Sequence, residues 1–204
     1  MAKKRTDPSE SAGRDTSVLR HVLVVGGTLA EWEALGDKRW AVRRAELARI
    51  AAGSGAMWLT VRPYELGVVV PTGVTVDDIA TVVVTRHQVV QRLVEIHDRC
   101  TIIVDPMPDG QGRFLAAVDQ LRDASVSIVD ESALAGVLMA PAPIEPDLTV
   151  ILGPSTRLPP SLVWELSYSE LVFIDTSWDD LSGAHIEQAI EAYSQRHRRF
   201  GGIE

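Results

Sequence analysis

The 204-residue chain contains 46% hydrophobic and 24% charged residues and carries a formal net charge of −8. This length fits one domain with its own core, and the composition excludes a fibrous or wholly disordered chain. The acidic balance argues against nucleic acid as the main partner, because phosphate backbones are bound by clustered lysines and arginines.

The first seventeen residues are polar and charged without apolar periodicity, which predicts a disordered tail at 1–17 and a single domain at 18–204. No segment approaches the ~20 consecutive apolar residues of a membrane-spanning helix, and the start has no apolar stretch of signal-peptide type. The single cysteine, Cys100, cannot form an intramolecular disulfide or a multi-thiolate metal site. These features predict a cytoplasmic protein with at most a peripheral contact with membranes.

Short runs rich in Val, Ile and Leu recur along the chain and predict strands that are buried on both faces. The runs are Val22–Val25, Trp58–Val61, Val82–Thr85, Thr101–Val104, Val126–Val129, Leu148–Leu152 and Leu171–Ile174. Between them, helical spacing of apolar residues occurs in three sets, Leu47/Ile50/Ala51, Val89/Leu93/Ile96 and Phe114/Val118/Leu121. The alternation predicts an α/β fold with a mainly parallel central sheet and helices on both faces.

The last predicted helix has the clearest pattern, with Ile186, Ala189, Ile190 and Tyr193 on one side. It ends in the basic run Arg196–Arg199, which favours the negative end of the helix dipole, and glycines follow as a common helix stop. Those preferences explain where the basic residues lie. They explain less well why three arginines are followed directly by Phe-Gly-Gly.

Between Asp147 and Gly202 the chain carries a set of specific residue types at specific positions. They are Asp147-Leu148, Arg157-Leu158, Trp164-Glu165-Leu166, Tyr168-Ser169-Glu170-Leu171, Phe173, Asp175, Trp178 and Arg198-Arg199-Phe200-Gly201-Gly202. This segment resembles the carboxyl-terminal part of cis-prenyltransferases, which build polyprenyl diphosphates from isopentenyl diphosphate. The family pattern runs Asp-Leu-x-Ile-Arg-Thr-Ser-Gly-Glu-x-Arg-Leu-Ser-x-Phe-Leu-x-Trp-Gln, continues through Tyr-x-Glu-Leu-x-Phe, and ends in Arg-Arg-Phe-Gly-Gly.

The resemblance implies roles for several residues of this segment. Glu170 would be the family's magnesium-binding glutamate, with an ordinary surface carboxylate as the alternative. Arg157 would bind substrate, and Arg199 with Gly201 would form the Arg-x-Gly tail that crosses a dimer interface to the neighbour's diphosphate site. The remaining residues assigned to the dimer surface or tail are Arg198, Phe200, Gly202, Trp164 and Tyr168, although apolar residues at such spacing are more often core.

Other positions depart from the family pattern. The stretch His21–Trp32 resembles the family's amino-terminal His-x-x-x-x-Met-Asp-Gly-Asn-Gly-Arg-Trp segment, but Gly27 stands in the place of the aspartate that anchors Mg²⁺ and diphosphate. Ile151–Pro154 replaces the substrate-binding Arg-Thr-Ser-Gly. Gly110–Arg113 loosely resembles the Asn-Tyr-Gly-Gly-Arg turn. Because ionising an allylic diphosphate requires cations on the leaving group, we expect the chain's own site to be incomplete.

The chain retains the Arg-x-Gly tail but lacks the family's aspartate and arginine. In this combination it resembles the non-catalytic, Nogo-B receptor-like subunit of heteromeric cis-prenyltransferases. The resemblance implies a catalytic homologue as partner in a heterodimer, or else a homodimer, with isopentenyl diphosphate shared across the interface. Mg²⁺ would then be held mainly by the partner. Two alternatives stay open, an active transferase that uses Glu31 or Glu33 for the metal, and a binding or scaffold protein that keeps only the fold.

Overall fold

The structure, a computed structural model, describes residues 18–64 and 92–196 and the backbone of residues 197–200. Over these ranges the strands are β1 (His21–Val25), β2 (Trp58–Arg62), β3 (Leu93–His97), β4 (Cys100–Val104), β5 (Leu148–Leu152) and β6 (Glu170–Ile174). The helices are α1 (Leu29–Leu35), α2 (Asp37–Gly53), α3 (Gly110–Asp123), α4 (Glu131–Met139) and α5 (Gly183–Phe200), with a short 3-10 helix at Glu165–Ser167. The predicted tail at 1–17, the run Val82–Thr85, Val89, Gly201 and Gly202 lie outside the described residues.

The strands form one sheet in the order β3-β4-β2-β1-β5-β6. Strands β1, β2, β4, β5 and β6 are parallel, and only β3 pairs antiparallel, with β4. The predicted α/β fold with a mainly parallel sheet is therefore confirmed. In the described part of the chain, no helix is long and apolar enough to cross a bilayer.

Both faces of the sheet are covered by helices, as predicted. On one face Val22 and Val24 of β1 belong to a core that includes Leu47 of α2 and Ile186 of α5. On the other face α3 and α4 pack over β4, where Ala117 and Leu138 join Ile103 in a second cluster. Because successive strand residues point to opposite covered faces, all five residues of β1 and of β5 are buried, which explains their unbroken apolar sequences.

Two predicted elements are wrong. Val126–Val129 lies in an exposed loop between α3 and α4 rather than in a strand, and the Ile128 side chain is 72% exposed. A β-branched run forms a strand only where another strand can pair with it, and this run has no such neighbour among the described residues. Leu93 and Ile96 lie in β3 rather than in a helix, because β3 turns back directly onto β4 through Asp98, whose φ is 51°.

The parallel strands give the sheet two chemically distinct edges. At the amino edge, where these strands begin, lie His21 of β1, Asp147 just before β5 and Glu170 of β6. At the carboxyl edge, where they end, lie Gly27 after β1 and Asp105 after β4. In open α/β sheets ligands bind outside the carboxyl ends of the strands, so the carboxyl edge is where a substrate pocket is expected.

Candidate functional site

Gly27 lies at the carboxyl edge in a place that has no room for a side chain. Its φ of +68° falls in the left-handed region that favours glycine, and a Cβ added there would lie 2.6 Å from Cγ of Trp178. The Trp178 ring stacks on Trp32 with 5.4 Å between ring centroids, and Trp40 packs against both rings. An aspartate at position 27 would require both the backbone and Trp178 to shift.

The carboxylates near Gly27 do not replace the missing aspartate. Glu31 accepts hydrogen bonds from the backbone N–H and the hydroxyl of Thr28, at 2.6 and 3.1 Å, and so caps helix α1. Within residues 18–64 and 92–196 no group of three or more His, Cys, Asp or Glu side chains is arranged to hold a metal ion. Mg²⁺ in proteins binds carboxylate oxygens, and the Glu31 carboxylate is already engaged in capping α1.

The end of β5 is apolar where the family pattern places an arginine. Ile151 is fully buried and packs in a small cluster with Leu23, Val25 and Leu162. Arg157 lies exposed on the loop after β5, and its backbone carbonyl accepts a 3.4 Å hydrogen bond from the Tyr64 hydroxyl. Among the described residues, the side chains that pack around Ile151 in this cluster are apolar or aromatic rather than charged.

A cluster of buried charges closes the carboxyl edge beside β2 and β4. Arg62, the last residue of β2, donates a 2.7 Å hydrogen bond to Oε1 of Glu165 in the 3-10 helix, and Arg113 of α3 donates to the same oxygen at 3.0 Å. Asp105 lies 3.5 Å from Arg62 and 3.8 Å from Arg113. The side chains of all four residues are 4% exposed or less.

These buried groups are kept ionised by one another. Burial alone would raise the pKa of Glu165, but the charges of Arg62 and Arg113 outweigh it and lower the pKa to about 2. Burial likewise favours neutral Asp105, and the surrounding guanidinium groups still lower the pKa of its carboxyl group. Arginine remains protonated at neutral pH in such a setting, so the cluster consists of full charges.

The amino edge is built around Asp147, which begins the segment that resembles the family. Its carboxylate accepts hydrogen bonds from the backbone N–H groups of Arg20 and His21 at 2.8 and 3.0 Å, and it forms an ion pair with the Arg20 side chain at 3.2 Å. His21 Nδ1 donates to the carbonyl of Ile144, and Nε2 accepts from the Thr60 hydroxyl, each at 2.9 Å. Burial lowers the pKa of His21 to about 4, so the ring is neutral.

Glu170 lies at the same edge and contacts the end of helix α5. Arg196 forms a 3.1 Å ion pair with the Glu170 carboxylate and donates a 2.9 Å hydrogen bond to the Leu171 carbonyl. Helix α5 continues through Arg198, Arg199 and Phe200 in the backbone. The structure thus brings Glu170 close to the start of the basic run, while Gly201 lies outside the described residues.

Trp164 packs against the second core cluster, and Tyr168 packs against Trp164. Trp164 lies against Phe114 and Tyr168, with ring centroids 6.2 and 5.5 Å apart, and the Tyr168 hydroxyl donates a 2.5 Å hydrogen bond to Glu131. Both rings are half-buried, and Leu166 between them is 44% exposed. The pair therefore has a structural role in the monomer and lies beside exposed apolar surface.

The buried charge cluster was not foreseen from the sequence. A signal existed, because Arg62 ends one apolar strand and Asp105 directly follows another, which places both at the carboxyl edge once the two strands are taken as parallel neighbours. Arg113 and Glu165 had no such signal, because Arg113 directly precedes a helical pattern whose orientation the sequence leaves open, and no strand or helix was predicted around Glu165.

Comparison with known proteins gives one consistent family. The family profile "Putative undecaprenyl diphosphate synthase" matches residues 78–201, more than half of the chain. The isoprenyl transferase of Neisseria meningitidis serogroup A is 37% identical over 92 residues, 45% of this chain and 37% of the relative. The isoprenyl transferase of Bacillus subtilis is 36% identical over 87 residues, 42% of this chain and 34% of the relative. The matches thus span less than half the length of these curated relatives.

Solved structures give the same fold at low sequence identity. A probable undecaprenyl diphosphate synthase from Campylobacter jejuni superposes with a TM-score of 0.55 at 15% identity, covering 90% of this chain and 98% of the other. Lavandulyl diphosphate synthase from Lavandula x intermedia gives a TM-score of 0.54 at 14% identity, covering 88% of this chain and 97% of the other. Taken with the profile match, these likenesses show that the chain belongs to the prenyltransferase family of undecaprenyl diphosphate synthase-like proteins.

Proposed function

We propose that this chain is the non-catalytic subunit of a heteromeric cis-prenyltransferase and donates its Arg-x-Gly tail to the active site of a catalytic partner. The observation that carries the proposal is the closed carboxyl edge at Gly27, where the left-handed backbone and Trp178 leave no room for an aspartate. The relatives are named isoprenyl transferases and undecaprenyl diphosphate synthases, which supports prenyl transfer as the chemistry of the pair.

The position of helix α5 supports a role across an interface. Its last turns lie at the amino edge, where Arg196 contacts Glu170, whereas Gly27 lies at the opposite edge. Five strand residues span about 13–16 Å, so the turn of α5 that carries Arg196 lies about a strand length from Gly27. A tail that starts there is placed to contact the active site of a neighbouring subunit rather than the pocket of its own chain.

In the proposed mechanism the partner supplies the metal-binding aspartate and the channel for the growing chain. Elongation forms a carbon–carbon bond between isopentenyl diphosphate and the allylic carbon of the second substrate, breaks the carbon–oxygen bond of that substrate to release inorganic pyrophosphate, and loses a proton from the isopentenyl unit. The guanidinium of Arg199 donates charge-assisted hydrogen bonds to the isopentenyl diphosphate held by the partner. A hydrogen bond to a charged group contributes about 1.5–3 kcal/mol, so its loss would slow the pair roughly 10- to 150-fold.

The test is isopentenyl diphosphate incorporation by the purified full-length chain alone, by a catalytic homologue from the same source, and by the two together. We expect the pair to exceed the homologue and the chain alone to be inactive. Arg199→Ala should remove the gain while the two chains still co-elute. Arg122→Ala, which removes an arginine paired with Asp119 on the exposed face of α3, is the matched control.

Three outcomes would contradict all or part of the proposal. Turnover by the isolated chain would identify an active transferase with a modified metal site. A homologue that neither binds the chain nor gains activity from it would favour a scaffold protein of the same fold. A pair whose rate is unaffected by Arg199→Ala would remove the proposed role of the tail but keep the complex.

A further inference from the structure

The buried charge cluster pairs two guanidinium groups with a single carboxylate oxygen. Arg62 and Arg113 both donate to Oε1 of Glu165, at 2.7 and 3.0 Å, while Oε2 of the same carboxylate has no hydrogen-bond partner. A guanidinium is a planar fork that matches two oxygens of one anion. Glu165 therefore accepts only one hydrogen bond from each guanidinium group and forms a two-oxygen pairing with neither.

Donors remain unused in the same cluster. Nε of Arg62 and both Nε and Nη1 of Arg113 are buried without a hydrogen-bond partner, as is the hydroxyl of Ser161, whose carbonyl lies 3.5 Å from Arg62. Buried donors are rarely left unpaired, because each costs about 1–3 kcal/mol. An anion with three or four oxygens would meet these donors where a carboxylate cannot.

The four cluster residues balance in charge, and Arg92, which is partly exposed and lies 3.5 Å from Asp105, adds one positive charge at the edge where a ligand is expected. Three guanidinium groups, those of Arg62, Arg92 and Arg113, surround two carboxylates, those of Asp105 and Glu165. Beside them the free cavity lined by Thr60, Arg62 and Asp105 measures only about 10 Å³, room for one water molecule. An oxyanion fits only if the Glu165 carboxylate vacates its place.

We propose that Arg62 and Arg113 form an anion-binding site for a phosphate or diphosphate group, and that Glu165 is its internal competitor. The Glu165 carboxylate lies where the anion would bind and holds the site closed. It belongs to a 3-10 helix of only three residues, in a segment after β5 that has no longer helix or strand before β6. Withdrawal of this short helix would open the site without breaking the sheet.

Binding of inorganic pyrophosphate to the purified full-length chain tests the proposal by titration calorimetry, with neither partner nor turnover required. We expect Glu165→Ala to bind pyrophosphate at least tenfold tighter than the unmodified chain. Adding Arg62→Met to that variant should abolish the gain. Glu95→Gln, which removes a carboxylate from the separate pair with Arg44, should leave affinity unchanged. Parallel titrations with inorganic phosphate and isopentenyl diphosphate distinguish a free anion from a prenyl diphosphate as the occupant.

Glu165→Ala leaves two buried guanidinium groups without their carboxylate and is expected to be destabilised. Glu165→Gln keeps the side-chain size and is the second variant, for which pyrophosphate should raise the melting temperature more than sodium chloride at equal ionic strength. If neither variant folds in anion-free buffer, refolding in pyrophosphate should recover it. A folded variant with unchanged affinity, a gain that survives Arg62→Met, or failure of pyrophosphate to recover folding would each overturn the site. Because no partner is present, these results are independent of the heterodimer assay.

Discussion

The two edges of the sheet differ in how completely their polar groups are paired. At the amino edge Asp147 accepts two backbone hydrogen bonds and an ion pair, and both ring nitrogens of His21 have partners. At the carboxyl edge the Trp178 ring abuts Gly27, and Arg62 and Glu165 each keep a buried polar atom without a partner. At the amino edge Nε of Arg20 is also buried without a partner in the described part of the chain, but at the carboxyl edge Arg62, Arg113, Ser161 and Glu165 together keep five such atoms. The difference is one of degree, and the carboxyl edge is closed by its own side chains.

This difference separates residues that are close in sequence. Asp147 and Glu170 keep the family pattern and lie at the amino edge, while Ile151, between them in sequence, departs from it toward the carboxyl edge. The match is not confined to one edge, because Asp175 and Trp178 also keep the pattern and follow β6 at its carboxyl end. Residues at the two edges can change independently, because a strand length separates them.

The largest expected effect concerns His21 at the amino edge. Its pKa falls from 6.5 to about 4 on folding, which corresponds to about 3 kcal/mol between the two protonation states. Because the unfolded chain takes up this proton first, the stabilisation is complete above pH 6.5 and is lost as the pH falls toward 4. Urea unfolding across this window measures the slope.

The matched variant for that slope is His21→Gln, which removes the titrating group and keeps an amide able to donate and accept. Its free energy of unfolding should vary less with pH over the same window, whatever its absolute stability. Equal slopes in the two proteins would mean that the neutral ring does not hold the amino edge together.

The sequence predicted the sheet better than it predicted the pocket. Unbroken apolar runs identified β1 and β5 because both faces of these strands are covered, and this burial leaves a direct trace in residue type. Val126–Val129 has the same residue types but pairs with no strand in the part of the chain that the structure describes, which the sequence does not reveal. The absence of the aspartate at Gly27 was visible, yet the Trp178 ring that fills the place comes from a segment 150 residues away in the chain. Contacts of that kind depend on the fold.

The next effect tests whether the carboxyl edge can be restored. Gly27→Asp should destabilise the chain by about 2 kcal/mol, because the side chain meets both a left-handed backbone and the Trp178 ring. Gly36→Asp is the control, since Gly36 has a similar φ of +74° and nothing within 4 Å of an added Cβ. The difference between the two variants in urea unfolding reports the contact with Trp178 together with any capping hydrogen bond that an aspartate gains at position 36, the N-cap of α2. Equal stabilities, or prenyl transfer by Gly27→Asp alone, would show that the carboxyl edge is not closed.

The smallest effect on stability is expected at Glu170, which lies at the amino edge, the edge that would face the partner in the proposed heterodimer. Its ion pair with Arg196 is half-exposed, and such pairs contribute about 0.5 kcal/mol or less, so Glu170→Gln should unfold almost as the unmodified chain does. If Glu170 also helps to hold Mg²⁺ in the heterodimer, the variant should need at least tenfold more Mg²⁺ for half-maximal activity of the pair. Asp119→Asn, which removes an exposed partner of Arg122, should change neither quantity. An unchanged Mg²⁺ requirement would mean that Glu170 only anchors helix α5. Loss of the ion pair with Arg196 changes the free energy of unfolding, whereas only the loss of a metal ligand changes the Mg²⁺ concentration for half-maximal activity.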